Sequence, residues 1–301
     1  MAFVTVTHNS RAHLTRFLET VGSCLPAAQV VVVDCASTDG SAQAARDWEG
    51  GRATVKEAGS NVGLGRGTNL GIEAVDRPVT VIANPDLELL DASLSGLATE
   101  AERDAEAPRI LAPLVLNPDG SRQDTAHPAP GSPALFAAAL VPPAVFPHRL
   151  RPVVEPWQSD RSRRVAWAVG CCLVARTDTL RRLGPFDERI FLYAEDTELG
   201  LRAAAQGVQT WFWPAARVRH HRAHSTAPAF GRENIELLAR QRRAVLQERL
   251  GTARRRLDDA IQLATFADRI LLKMLARRSN DRERAQLKAL WQARREPPRL
   301  A

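Results

Sequence analysis

The sequence predicts an α/β fold: a mostly parallel, doubly wound sheet with helices on both faces, followed by a helical C-terminal extension. Three observations predict it. Short apolar runs at Ala2–Thr7, Gln29–Asp34, Ala53–Glu57 and Val79–Ala83 alternate with segments of helical spacing, the pattern of βαβ units. Val30 to Val33 is apolar without alternation, as expected of a central strand covered on both faces. From Glu233 onward the pattern is helical and basic, which divides the chain into a body, residues 1–231, and an extension, residues 232–301.

In chain order, the first strand ends in His8-Asn9-Ser10, a turn and N-cap. Leu14, Phe17, Leu18 and Val21 then have helical spacing. The second strand ends in Asp34-Cys35-Ala36-Ser37-Thr38-Asp39-Gly40-Ser41, a small, polar loop before a helix at Ala42–Trp48. After the third strand, a glycine-rich loop, residues 61–69, runs into a helix at Leu70–Val75. The fourth strand ends in Asn84-Pro85-Asp86-Leu87-Glu88. A strand at Ile110–Leu116 and a turn at Asn117–Gly120 precede a proline-rich connection, residues 125–160. One strand is expected over Arg164–Ala175, a short helix after Asp178, and a strand over Gln209–Trp213. Between them, Phe191 to Arg202 delivers two adjacent carboxylates, Glu195 and Asp196, to a helix start. That helix stops at Gly207, and Glu198 and Arg202 are spaced to pair on its outer face.

The 301 residues suffice for one large domain or a domain with an appendage. No run reaches 18 apolar residues, so no membrane-spanning helix is expected. The strand-like start argues against a secretory signal. Cys24, Cys35, Cys171 and Cys172 lack metal-ligand spacing and fit a reducing cytoplasm. The net charge of +7 is uneven: residues 232–301 hold 18 basic and 9 acidic groups, leaving 23 basic against 25 acidic over residues 1–231. A basic tail on a near-neutral body points to a polyanionic surface, lipid or nucleic acid.

In doubly wound sheets the ligand lies beyond the carboxyl ends of the strands, where Asp34, the glycine-rich loop and Asp86 all fall. Asp34 can accept hydrogen bonds from a ligand, or cap its own loop through Ser37 or Thr38. The glycines at 63, 65 and 67 can let phosphate approach the backbone. Asp86 and Glu88, with a later histidine, can hold a hard divalent cation, or form a surface turn. His220, His221 and His224 cluster with Arg217, Arg219 and Arg222, either as phosphate and metal contacts or as a solvated basic loop. Glu195 and Asp196 diverge by about 100° on a helix, so they cannot do the same job.

These pieces, in this order, resemble family 2 inverting glycosyltransferases of the GT-A type, and among them bacterial rhamnosyltransferases of cell-wall and polysaccharide assembly. The likeness spans roughly residues 2–225 and rests on Val4–Asn9, Val33–Ser41, Asn61–Gly71, Asn84-Pro85-Asp86, Gly184–Glu188, Glu195-Asp196 and His220. It implies a nucleotide-sugar site at Thr7, Asn9, Asp34, Asp39, Asn61, Gly63, Asn69 and Asn84, with Asp34 on the base. It implies Asp86 and His220 as ligands of Mg²⁺ or Mn²⁺. Asp196 would be the general base, with Glu195 positioning acceptor or loop. Cys35 and Ala36 replace the polar pair often found after the strand-ending Asp, and Asn84 stands where a strict D-x-D begins.

The implied reaction is transfer of a sugar, best matched by L-rhamnose from dTDP-rhamnose, to a hydroxyl of a glycan or polyprenyl-linked acceptor. The extension fits the same picture. Leu263, Phe266, Ile270, Leu271, Met274 and Leu275 form an apolar stripe beside Arg269, Lys273, Arg277 and Arg278. That stripe suits the cytoplasmic face of an anionic membrane, or packing on the body or in a homodimer. Nucleic acid is not the expected partner. Two other readings compete: a nucleotide-sugar pyrophosphorylase, whose usual basic glycine-rich loop after the first strand is missing, and a non-enzymatic nucleic-acid binder using the tail.

Overall fold

The computed structural model describes residues 1–103, 107–221 and 234–300. Arg222, His224 and the expected boundary at 231/232 lie outside the described residues. The strands are β1 (Ala2–Thr7), β2 (Gln29–Asp34), β3 (Ala53–Glu57), β4 (Val79–Ala83), β5 (Leu87–Leu89), β6 (Arg109–Leu116), β7 (Ala126–His127), β8 (Arg163–Val165), β9 (Trp167–Ala168), β10 (Cys172–Arg176) and β11 (Gln209–His220). The main sheet runs β3-β2-β1-β4-β10-β6-β11-β5, with β8 beside β11. Its β3-β2-β1-β4 half is parallel. Strand β10 enters antiparallel between β4 and β6, and β6 is again parallel to β11.

Ten helices are described: α1 (Arg11–Cys24), α2 (Ser41–Asp47), α3 (Leu64–Glu73), α4 (Ser93–Arg103), α5 (Pro133–Leu140), α6 (Arg151–Val154), α7 (Thr177–Leu183), α8 (Glu195–Ala205), α9 (Ile235–Leu275) and α10 (Asp281–Ala293). Alternate residues of β1 and β2 explain their unbroken apolar runs. Phe3, Val30 and Val32 pack with Leu14 and Phe17 on one face. Val4 and Val31 pack with Ile72 and Leu199 on the other. Both faces are therefore dry, as a covered central strand requires.

Helix α3 begins at Leu64, six residues earlier than expected. Two of its glycines, Gly67 and Gly71, serve contact with the sheet. A Cβ on Gly67 would sit 2.9 Å from Val6 Cγ1, and one on Gly71 only 2.4 Å from Val4 Cγ1. They let α3 lie flat on β1.

The single strand expected over Arg164–Ala175 is three short ones. Val165 ends the pairing with β11, Ala166 N donates to His127 O, and Val169 N donates to Thr125 O. The chain thus leaves β11 for β7, then turns at Gly170-Cys171 into the main sheet. The proline-rich connection holds two helices, α5 and α6.

Helix α9 kinks at Gly251, where φ is 80°, a value that suits glycine. Its first half covers the body: Val245 is buried against Ile190 and Ala194. This changes the setting of the Glu198–Arg202 pair. The pair forms, Nε to Oε1 at 2.7 Å, but Glu198 is fully buried instead of outward-facing. Arg249 of α9 covers it and bonds the same carboxylate. No helix among the described residues is long and apolar enough to cross a membrane.

Candidate active site

A cavity of about 380 Å³ opens beyond the carboxyl ends of β1, β2 and β4. Asn61, Gly63, Asn84, Asp86, Glu195, Asp196 and His220 line it, so the fold brings together seven of the residues singled out in the sequence.

The carboxylates stand at the start of α8. Tyr193 and Ala194, just before them, both have positive φ, 68° and 66°. Two consecutive non-glycine residues in that region store strain, about 1–3 kcal/mol each, which the packing of Ala194 against Val245 must offset. Asp196 is partly open to the cavity. Its Oδ1 accepts from Thr197 N at 2.7 Å, and its Oδ2 from Gly170 N at 3.3 Å. Glu195 is buried, and its Oε2 has no hydrogen-bond partner among the described residues. Burial, then the charge of Asp196, pushes the Glu195 pKa up to about 8. Burial also raises that of Asp196, against hydrogen bonds from Gly170 and Thr197. Two adjacent buried carboxyls titrate together, and burial favours the protonated form of both.

Asp86 and His220 meet elsewhere in the same lining. Strand β5 pairs antiparallel with the end of β11, opposing Leu87 to His220. Asp86 Oδ1 then lies 3.1 Å from His220 Nε2. Gln123, which the sequence reading missed, fixes that ring. Its Nε2 donates to His220 O at 2.6 Å, so its Oε1, 3.1 Å from Nδ1, must be the acceptor. The proton therefore sits on Nδ1, and Nε2 presents a lone pair. Asn84 Nδ2 donates toward it at 3.3 Å. A carboxylate oxygen facing an imidazole lone pair is a donor set that a divalent cation fits. Among the described residues no third His, Cys, Asp or Glu joins them.

Other predicted residues support the loops around the cavity. Asp39 Oδ2 accepts from Arg11 N at 2.8 Å and its Oδ1 from Ser41 N at 3.0 Å, so it caps α1 and α2. Asn9 Oδ1 accepts from Thr38 N, tying the loops after β1 and β2. Asn69 brackets Phe186 through both its N and O. Asp34 Oδ2 accepts from Ser37 N at 3.0 Å, while its Oδ1 and Thr7 Oγ1 are buried with no partner among the described residues. An N–H from a ligand would satisfy such an oxygen.

Glu88 does not reach the cavity. Arg219 and His221 hold it at 3.1 and 2.9 Å. Arg217 turns to Asp91. The guanidinium that does line the cavity is Arg242 of α9, beside Leu238. Trp167 of β9 is a further wall, stacked on His127 at 4.1 Å between ring centres. Sequence spacing gave no signal for either, since both reach the cavity through long-range packing.

A family model described as Glycosyl transferase family 2 matches residues 2–126, and one described as Glycosyl transferase family group 2 matches residues 155–256. The N-acetylglucosaminyl-diphospho-decaprenol L-rhamnosyltransferase of Mycobacterium tuberculosis is 33% identical over 239 residues, covering 74% of this chain and 76% of that protein. Among solved structures, the mannosyltransferase PcManGT of Pyrobaculum calidifontis with GDP-Man and Mn²⁺ superposes with a TM-score of 0.58 at 16% identity, over 97% of this chain and 85% of that one. GalNAc-T7 with UDP, GalNAc and Mn²⁺ gives 0.58 at 16% identity over 82% of this chain, which spans 48% of that one. At these identities the structural likeness is one of fold.

Proposed function

Because the chain belongs to glycosyl transferase family 2 and has the GT-A fold, we propose that it moves L-rhamnose, with inversion, from dTDP-rhamnose to a hydroxyl of a polyprenyl-diphosphate-linked N-acetylglucosamine. It is a glycosyltransferase; the sugar and acceptor are inferred from the mycobacterial relative's name. The observation that carries the reading is the cavity itself. Asp196, Asp86 and His220 all line it, and Asp86 Oδ1 stands 3.1 Å from His220 Nε2.

In this reading Asp196 takes the proton of the acceptor hydroxyl as that oxygen bonds to the anomeric carbon. The bond from that carbon to the diphosphate oxygen breaks, and its electron pair leaves with the nucleotide. Burial raises the proton affinity of Asp196 above that of an ordinary aspartate, which suits a base. Thr197 N and Gly170 N hold its carboxylate in place. Asp86 and His220 would hold Mg²⁺ or Mn²⁺, which when bound neutralises charge on the departing diphosphate. Asn61, Gly63 and Asn84 line the nucleotide's path, while Asp34 and Thr7 are buried beside the cavity lining, with Asp34 Oδ1 and Thr7 Oγ1 unpartnered among the described residues. Asn9, Asp39 and Asn69 act by holding the loops.

The extension supports peripheral attachment at the cytoplasmic leaflet. Leu271, Met274 and Leu275 are exposed beside Arg269, Arg277 and Arg278. A truncation near residue 231 would remove Leu238 and Arg242 from the cavity wall, so attachment is tested better by point substitutions.

The deciding experiment offers the full chain each of dTDP-rhamnose, UDP- and GDP-sugars with a polyprenyl-diphospho-N-acetylglucosamine acceptor. Nucleotide release and product mass are read. Transfer from dTDP-rhamnose alone is expected. Transfer only from another donor overturns the rhamnose assignment.

A further inference from the structure

The excursion between β7 and β8 exposes an apolar surface that the body leaves uncovered. In α5, Phe136 is 52% and Leu140 61% exposed. Val145, Leu150 and Val153 continue the surface to α6, all about half exposed or more. A monomer in water gains nothing by presenting such a set together.

The charge around it is one-sided. From Thr125 to Val154 the chain has no Asp or Glu. The first carboxylate after it, Glu155, is taken by Arg151 at 2.6 Å. His148 and Arg149 are exposed among the apolar residues. On α9, exposed Leu257 and Arg256 lie beside the points where α9 holds the excursion. Those points are Arg254 Nε to Pro130 O at 2.9 Å and Asp258 Oδ1 to Gly131 N at 2.9 Å.

The surface is also wired to the cavity. Asp258, which accepts from Gly131 at the foot of α5, also pairs with the cavity residue Arg242 at 3.0 Å. At the other anchor, His127 stacks on the cavity residue Trp167.

We infer that residues 133–153 form a membrane-docking surface, with Phe136 and Leu140 entering the interface of an anionic bilayer and Arg149 meeting its head groups. Apolar side chains beside Arg149, which has no ion pair among the described residues, complement an anionic lipid surface, which takes up apolar groups and attracts cations at once. The inference rests on the proposed lipid-linked acceptor only for its purpose. Docking would bring that acceptor to the cavity wall at Trp167 and Arg242.

The test is co-sedimentation of the full chain with phosphatidylglycerol–phosphatidylcholine vesicles, and with phosphatidylcholine alone, in the absence of any nucleotide sugar. A wrong donor assignment therefore leaves the result unchanged. The wild-type chain should bind the anionic vesicles. Phe136→Ser with Leu140→Ser should weaken binding by about tenfold or more, with an unchanged melting temperature because both side chains are exposed. Arg149→Glu should weaken it on anionic vesicles only. Leu271→Ser with Leu275→Ser measures the share of binding carried by the extension. Binding lost only in the tail variant overturns the inference, as does a wild-type chain that ignores anionic vesicles. Conversion of a dimer to a monomer by the α5 variant, with vesicle binding intact, would make the surface a contact between copies and also overturn it.

Discussion

Arg249 of α9 places Nη2 2.6 Å from Oε1 of Glu198, a fully buried carboxylate one turn into the helix that begins with Glu195 and Asp196. The extension thus fastens onto the helix that carries the two carboxylates. Arg249→Ala would leave Glu198 to Arg202 alone. We expect a loss of about 1–3 kcal/mol, short of stranding the charge entirely. Urea denaturation of the variant measures it, and an unchanged midpoint would mean the contact is energetically idle.

Asp196→Asn keeps shape and removes the base. Turnover should fall by about 10²-fold or more while donor binding stays near normal. Isothermal titration with the donor and a steady-state assay separate the two. Near-normal turnover would remove Asp196 from the mechanism.

Glu195 holds its proton from the ordinary value of 4.5 up to about 8. Over that interval the folded state binds more protons than the unfolded one. Its contribution to stability is whole below the lower value and is lost as pH rises through the upper one. Glu195→Gln should flatten this slope, which reaches at most about 1.4 kcal/mol per pH unit. Denaturation midpoints across this range, compared with the parent, decide it; parallel profiles would sink the idea.

Gln123 orients His220 without facing the cavity opening itself. Gln123→Met should weaken Mn²⁺ binding by about 10–100-fold, the usual scale for a group that fixes a ligand histidine. Asp86→Ala should weaken it further. Calorimetric titration with Mn²⁺ and nucleotide diphosphate reads this apart from turnover. Equal metal affinity in all three proteins, or full activity in EDTA, would refute the cation site.

Gly71→Ala and Gly96→Ala should move stability in opposite directions. In an open helix alanine gains about 1 kcal/mol over glycine. Gly96 in α4 has nothing within 4 Å of an added Cβ. At Gly71 the added atom meets Val4 at 2.4 Å and Val33 at 3.1 Å, so overpacking should cost about 1–3 kcal/mol. Two thermal melts check the contrast.

The sequence by itself determined the local part of this protein. Four apolar runs separated by helical spacing were enough for the parallel strands β1 to β4, because each strand and its covering helix are written in one short stretch. The acidic start of α8 and the stop at Gly207 were equally legible, since helix ends are set by nearby residues. The tertiary structure decided the rest, through burial and long-range pairing. Arg164–Ala175 reads as one strand, yet it splits because β7, some forty residues earlier, competes for its backbone. The glycines of residues 63–71 look like a phosphate loop, and only contact with Val6 and Val4 shows that Gly67 and Gly71 fit a helix to a sheet. Adjacent Glu195 and Asp196 both hold protons more tightly than ordinary carboxyls because burial, which only the fold supplies, raises both. Asp86 finds His220 only because β5 pairs with the far end of β11. Spacing along a chain sets which groups can share a helix or strand; the dielectric around a carboxylate and the partner across a sheet exist only once the chain has folded.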